Sequence, residues 1–416
     1  MKNMITKLML VCIALITCIT STWAATEINL YTWRRQEVSL WQHISQHNVI
    51  PGVTVNVKLL RSASYEPHML LSLQNNTPDV FQWAPGANSL QKLVKHNFVK
   101  PYQGTLTQMN QGALIAALAA DNKLYGVPFA LQLQSVMVNR KLVNKHGIHQ
   151  QPKTLSAMEQ VFSTLKQAGV TPIQLAGNVN WYLSQLLAEV LLSGLVSENV
   201  AENLVSGQAC FTDPEYQQVF IRLKQWMDKG FINDNVASES YVGIANSMGL
   251  GNSAMTIDGG WRTSSKSDFF KLDNDFQFYF WQIPGAGNKV YALGDGTYQV
   301  NANSTKYQAA MKVLNFTATK AFAELFAEHV QELPAFGESV SINNPTLATL
   351  SNKVVDAYSV SLFNAYTLNS NEPSYRTLVT QGFKDLFNHQ KTPIEITQQI
   401  QQGLNSWQYV GINHCQ

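Results

Sequence analysis

Three β-prone runs separated by helical stretches constrain this chain more than any other feature. Residues 27–32 (EINLYT) alternate as a first strand, 53–59 (VTVNVKL) alternate cleanly as a second, and 78–83 (PDVFQW) read as a third. After the first run, Val38, Leu40, Trp41 and Ile44 mark an amphipathic stretch. Strands that alternate with helices pair as a largely parallel sheet covered by helices, so an α/β lobe is expected.

The middle of the chain reads as helical, with its ends written in the sequence. Thr154 is the natural N-cap of a helix whose apolar face is Leu155, Met158, Val161, Phe162 and Leu165, and Gly169 is its stop. Asp213-Pro214 opens another, with Tyr216, Val219, Phe220, Leu223, Trp226 and Met227 on one face and Gly230 at its end. Thr392-Pro393-Ile394-Glu395 is a capping box.

Residues 1–24 have basic Lys2 and Lys7, an apolar run from Met9 to Ile19 and small residues at Thr22 and Ala24. This is the pattern of a secretory signal peptide cleaved near Ala24. The run is shorter than the roughly 20 apolar residues a membrane span needs. Thr17 before Cys18 fits a lipoprotein cut poorly, so a free protein of the bacterial periplasm is expected. Losing Lys2 and Lys7 from 29 basic residues balances the 27 acidic ones, and a neutral chain offers no electrostatic case for nucleic acid or an anionic membrane. The remaining length implies two lobes. Cys210 and Cys415 survive cleavage; they either pair, pinning the tail to the body, or stay separate thiols.

Six stretches, taken together and in order, resemble the family 1 extracellular solute-binding proteins, the group of the maltose- and glucose-binding proteins. They are TPDVFQWAPGANSL (77–90), DNKLYGVPF (121–129), the Gly147–Pro172 region with QPKT and QAGVTP, AMTIDGGW (254–261), QIPG (282–285) and GDGTYQVNANST (294–305). The resemblance covers nearly the whole chain after the leader. It implies a type II-like periplasmic binding fold of two α/β lobes with a ligand cleft between them. The lobes would be residues 26–130 with 286–333, and 131–285 with 334–416. Crossings would fall near Phe129-Ala130, Pro284-Gly285 and Pro334-Ala335, and Pro and Gly mark all three places. It further implies a monomeric ABC-importer component that binds a mono- or oligosaccharide and meets membrane permease subunits, with no cofactor and no catalysis.

A sugar offers apolar C–H faces and a polar rim, so flat indoles beside amides and carboxylates suit it. Eight tryptophans follow the leader. Trp33 and Trp83 sit at strand ends, where open α/β sheets place ligands. Trp181 and Trp261 sit in loops, the latter after Gly259-Gly260, which would let backbone approach a ligand. The resemblance assigns sugar stacking to Trp83, Trp181 and Trp261. Trp41, Trp226, Trp281 and Trp407 read as core. Polar candidates are Arg34, Arg35, Gln36, Gln132, Asn180, Asp258, Asp295 and Arg376, with Asp258 or Asp295 suited to chelate adjacent hydroxyls.

Catalytic patterns are absent: no HExxH, GxSxG, P-loop or strand-borne GxGxxG occurs. His43 and His47 share a helix face without an evident third metal ligand. Alternatives to the importer reading are a receptor for a membrane sensor and a carbohydrate-active enzyme using Asp258 and Asp295. Within the importer reading, the adjacent Arg34 and Arg35 raise an acidic sugar or phosphorylated polyol as the ligand.

Overall fold

The structure is a computed structural model describing residues 25–61, 64–265, 267–337, 340, 344–358 and 360–415. The expected leader, 1–24, lies outside the described residues.

Among the described residues, ten strands form two sheets. They are β1 (Thr26–Thr32), β2 (Val53–Leu59), β3 (Val80–Trp83), β4 (Val127–Pro128), β5 (Leu131–Asn139), β6 (Thr171–Gln174), β7 (Ser253–Gly259), β8 (Phe278–Trp281), β9 (Tyr291–Gly294) and β10 (Thr297–Val300). The first sheet runs β2-β1-β3-β10-β4. Here β1 is parallel to β2 and β3, while β10 is antiparallel to β3 and β4. The second runs β6-β7-β5-β8, with β9 also on β5.

Helices cover the sheets because side chains alternate faces along each strand. In β1, Ile28 and Leu30 pack with Trp41 and Phe322, whereas Tyr31 packs on the other face with Tyr65, Phe81 and Trp83. Strand β5 is buried at all nine positions, because β9 covers its first half, β8 its second half and β7 its other edge.

The local signals act as read. Thr154 accepts from Ala157 N, and Gly169 adopts φ +75° after the helix Leu155–Gln167. In Pro214–Asp228 the face Tyr216, Val219, Phe220, Leu223 and Trp226 is buried. Thr392 and Glu395 cap each other at Pro393–Asn405. Trp41, Trp226 and Trp281 are core, and Trp407 packs on that core with its indole N–H on Pro373 O.

The chain passes from the first sheet to the second between Pro128 and Leu131 and returns between Gly294 and Thr297. Strand β9, which the boundary at 285/286 placed with the first lobe, therefore belongs to the second sheet. Its register on β5 explains why: Leu131 to Gln134 would lose an antiparallel partner without it. The helix Pro345–Lys353, placed with the second lobe, packs Leu347 and Leu350 into the core that holds Ile28 and Leu40. Among the described residues no helix is long and apolar enough to cross a membrane. Cys210 and Cys415 are joined by a disulfide across 205 positions of sequence.

Candidate functional site

Seven of the twelve residues singled out from the sequence gather into two adjoining groups. The first centres on Arg34, just past β1. Its Nε donates to Glu37 at 2.6 Å, its Nη2 to Glu332 at 2.5 Å, and its Nη1 to Asp295. Gln132, at the start of β5, donates to Glu332 at 2.5 Å, and Gln36 donates to the other Glu332 oxygen at 2.9 Å. Glu37 also accepts from Gln82 and the Tyr298 hydroxyl. One guanidinium thus ties the end of β1 to the Gly294–Thr297 passage and to the segment before Pro334, and Glu332 carries the link on to Gln132 of β5.

Three carboxylates around one buried cation make this group acidic. Burial alone would lower the pKa of Arg34, but Glu332, Asp295 and Glu37 reverse that and raise it. Burial pushes the Asp295 carboxyl up to about 7, against the pull of Arg34. Burial also raises Glu37, opposed by Arg34 and the two hydrogen bonds from Tyr298 and Gln82. Arg34 is therefore committed to the fold; it has no charge left to select an anion.

The second group is aromatic. Trp181, at the end of the loop after β6, keeps 40% of its surface exposed. Its ring centroid is 4.8 Å from Tyr241 and 6.5 Å from Trp261, edge to face. The Trp261 indole N–H donates to Tyr241 Oη at 2.6 Å, and that hydroxyl donates to Asp258 at 2.7 Å. Asp258 accepts further from Gly259 N and from Arg262 Nε, and the Arg262 guanidinium lies 3.8 Å from the Tyr241 ring centroid. Burial raises the Asp258 pKa while Arg262 and Tyr241 lower it. A Cβ on Gly260 would lie 3.4 Å from Gln132 Oε1, so the two groups abut there.

Several expectations need correction. Trp83 is the last residue of β3, opposite Thr297 of β10, but it is 1% exposed with its indole N–H on Ser89 O, so neither ring face is open. Asp258 is fully buried with both oxygens engaged, which leaves no chelating pair for hydroxyls. Gly259 serves Trp261 rather than a ligand: its missing Cβ would sit 2.1 Å from the indole ring. Trp33 is half-buried, edge-on to Tyr65 at 4.8 Å. Arg35 and Asn180 are exposed and join neither group. Arg376 stands apart, stacked 3.7 Å from the Phe363 ring, its Nε on Phe363 O at 2.7 Å; burial lowers its pKa to about 10.

Sequence reading missed Tyr241, Glu37, Glu332 and Gln134. Tyr241 follows the N-cap Ser240 and opens the helix Tyr241–Gly249, the same loop-to-helix placement that marked Trp181. Glu37 sits three positions after Arg34, a spacing that pairs charges on a helix. Gln134 shares a face of β5 with Gln132; it is buried, and neither amide atom has a partner among the described residues. A cavity of about 530 Å³ lies beside the first group, lined by residues of 107–116, by Leu131 and Gly294 next to Gln132 and Asp295, and by Tyr358 and Asn364; none of the twelve candidates lines it.

Residues 46–349 match the bacterial extracellular solute-binding protein family, and the chain belongs to it. An uncharacterised ABC transporter extracellular-binding protein of Pyrococcus horikoshii is 25% identical over 285 residues, 66% of this chain and 60% of that protein. The chain thus spans less than two thirds of that relative. Among solved structures, one from work on xylan utilization by Caldanaerobius polysaccharolyticus superposes with a TM-score of 0.75 at 19% identity, covering 91% of this chain and 99% of the other. The binding protein RafE in complex with raffinose superposes at 0.71 with 17% identity, covering 92% and 99%. These likenesses carry the fold: two helix-flanked sheets of a two-lobed solute-binding protein.

Proposed function

We infer that the protein is the periplasmic substrate-binding component of an ABC importer and holds a neutral mono- or oligosaccharide between its two lobes. The carrying observation is the Trp181–Tyr241–Trp261 group, an aromatic surface with Trp181 exposed, mounted on an Asp258–Arg262 pair whose charges cancel. Such a surface suits the C–H face of a pyranose. Gln134 supplies an unsatisfied donor and acceptor, which a hydroxyl would complete. The raffinose complex of RafE supports a sugar as the ligand class. In this reading the lobes meet at the 128–131 and 294–297 passages and at a return after Leu333. The protein works as a monomer, delivering its ligand to permease subunits of the inner membrane.

The acidic-sugar alternative loses its support. Arg34, one of the two arginines behind it, is enclosed by three carboxylates, which would repel a uronate or phosphate beside them. A thermal-shift screen tests the reading, since a ligand that binds only the folded state raises its melting temperature. Raffinose, xylo-oligosaccharides and chito-oligosaccharides should include a stabiliser, while glucuronate and galacturonate should not shift the transition. Stabilisation by the uronates alone would overturn the neutral-sugar assignment.

A further inference from the structure

Gly86 sits where the two halves of the molecule touch. It precedes the helix Ala87–Lys95 that follows β3 of the first sheet, with φ +98°, a conformation that favours glycine. A Cβ here would lie 2.6 Å from Asn364 Oδ1 and 3.0 Å from Arg376 Nη2. Those side chains belong to the other half: Leu362, Tyr375 and Leu378 around them pack into the core of the second sheet. Both facing atoms, Asn364 Oδ1 and Arg376 Nη2, are buried with no hydrogen-bond partner among the described residues. Arg376 cannot easily turn away, because its Nε is held on Phe363 O and its plane is stacked on Phe363.

A buried donor and a buried acceptor that face the bare side of a glycine without a partner are costly. Opening the halves returns both to water. The glycine permits the contact sterically, while the polar atoms oppose it energetically.

We propose that the Gly86–Asn364–Arg376 contact is a brake on closure that keeps the ligand-free protein open and so sets how much ligand affinity closure consumes. The proposal rests on the reading that the two halves are lobes that close, but not on what they bind. Gly86 and Asn364 are affinity-setting residues that need touch no ligand. Ligand binding must outweigh the brake, and lowering it raises apparent affinity because more of the free protein is binding-competent.

Small-angle scattering of the ligand-free, full-length secreted protein tests this without a known ligand. Asn364→Leu removes the unpaired acceptor at similar size. It should move the open-to-closed ratio toward closed by roughly five- to 150-fold, the range for one buried unsatisfied group, and lower the radius of gyration. Arg376→Met, which keeps an apolar stem, should do the same, so the test survives if one variant fails to fold. Gly86→Ala should keep the wild-type radius, and Gly86→Ala combined with Asn364→Leu should remain expanded, because the new Cβ blocks the contact. A wild type already as compact as Asn364→Leu, or variants that leave the radius unchanged, would overturn the brake.

Discussion

The two groups of the candidate site share a unit, a buried arginine paired with an aspartate, yet they differ in kind. Around Arg34 the acids outnumber the base three to one, and the partners come from positions 37, 295 and 332. Around Arg262 the near pair is one to one, Asp258 is four residues away, and a half-open aromatic surface lies on top. The first therefore acts as a brace between distant segments, and the second as a local platform. An arginine beside a cleft is evidence about a ligand only when its carboxylate partners have been counted.

The strongest way to break that comparison is to remove the arginine from the brace. Arg34→Met leaves Glu37, Glu332 and Asp295 facing one another in a buried site, and breaking a buried ion pair from one side costs about 3–5 kcal/mol. Urea unfolding should show that loss. A variant as stable as wild type would mean that the three acids simply take up protons and that Arg34 is no brace.

The platform should respond in binding before stability. Trp181→Ala removes a ring that is 40% exposed, so folding should change by less than about 1 kcal/mol while sugar affinity falls by about 1–3 kcal/mol. Trp261→Ala should cost both, because its indole packs on the core and holds the Tyr241 hydroxyl. Calorimetric titration with the sugar found by screening, beside urea unfolding, separates the two. If Trp181→Ala binds normally, the exposed indole is not the platform.

How much of this was legible follows the same division. The capping residues Thr154 and Thr392 and the Trp226 stripe were readable because helices are written in neighbours three and four apart. The fold class was readable from alternating strand and helix patterns. Trp181 and Trp261 were read as loop aromatics, whereas Trp181 lies in the first turn of a helix and Trp261 in the 3-10 turn Gly260–Thr263; Tyr241 between them in sequence was passed over although it carries the hydrogen bond joining the group. Trp83 was misjudged because its partner Thr297 lies on a strand that the chain reaches only after building the whole second sheet. Glu332 and Asp295 were illegible as partners of Arg34 for the same reason: long-range pairing leaves no periodicity in sequence.

The brace should also give the protein a pH dependence. The Asp295 carboxyl is raised to about 7, and that of Glu189, outside the brace on the buried helix Ala188–Leu195, to about 8, both by burial, opposed mainly by Arg34 at the first and by the Phe363 N–H at the second. Between the usual carboxylate range near pH 4 and about pH 8, the folded protein holds protons that the unfolded chain has released. Stability therefore falls as pH rises through that window and levels off above it. Unfolding at pH 5 should cost several kcal/mol more than at pH 8.5, and Asp295→Asn should remove its share. A protein more stable at pH 8.5 than at pH 5 would contradict this sign.

The disulfide is the control that should leave both groups alone. Chain-entropy reasoning for a bond spanning 205 positions suggests a large contribution, several kcal/mol. That reasoning assumes the bond does the holding. Here the tail is also fixed by Asn405 on Cys415 O, by Gln401 on the buried Tyr409 hydroxyl and by the close approach of Gly207 to Gly411. Releasing Cys415 frees a short terminal segment rather than the long loop. Cys210→Ser with Cys415→Ser should therefore cost about 1 kcal/mol or less, below the typical 2–4 kcal/mol. Thiol titration of the denatured, unreduced wild type should find no free thiol. Sugar affinity of the double variant should match wild type, since neither cysteine neighbours Arg34 or Trp181. A large loss of affinity would show that the tail reaches the site, and the division between brace and platform would then need a third member.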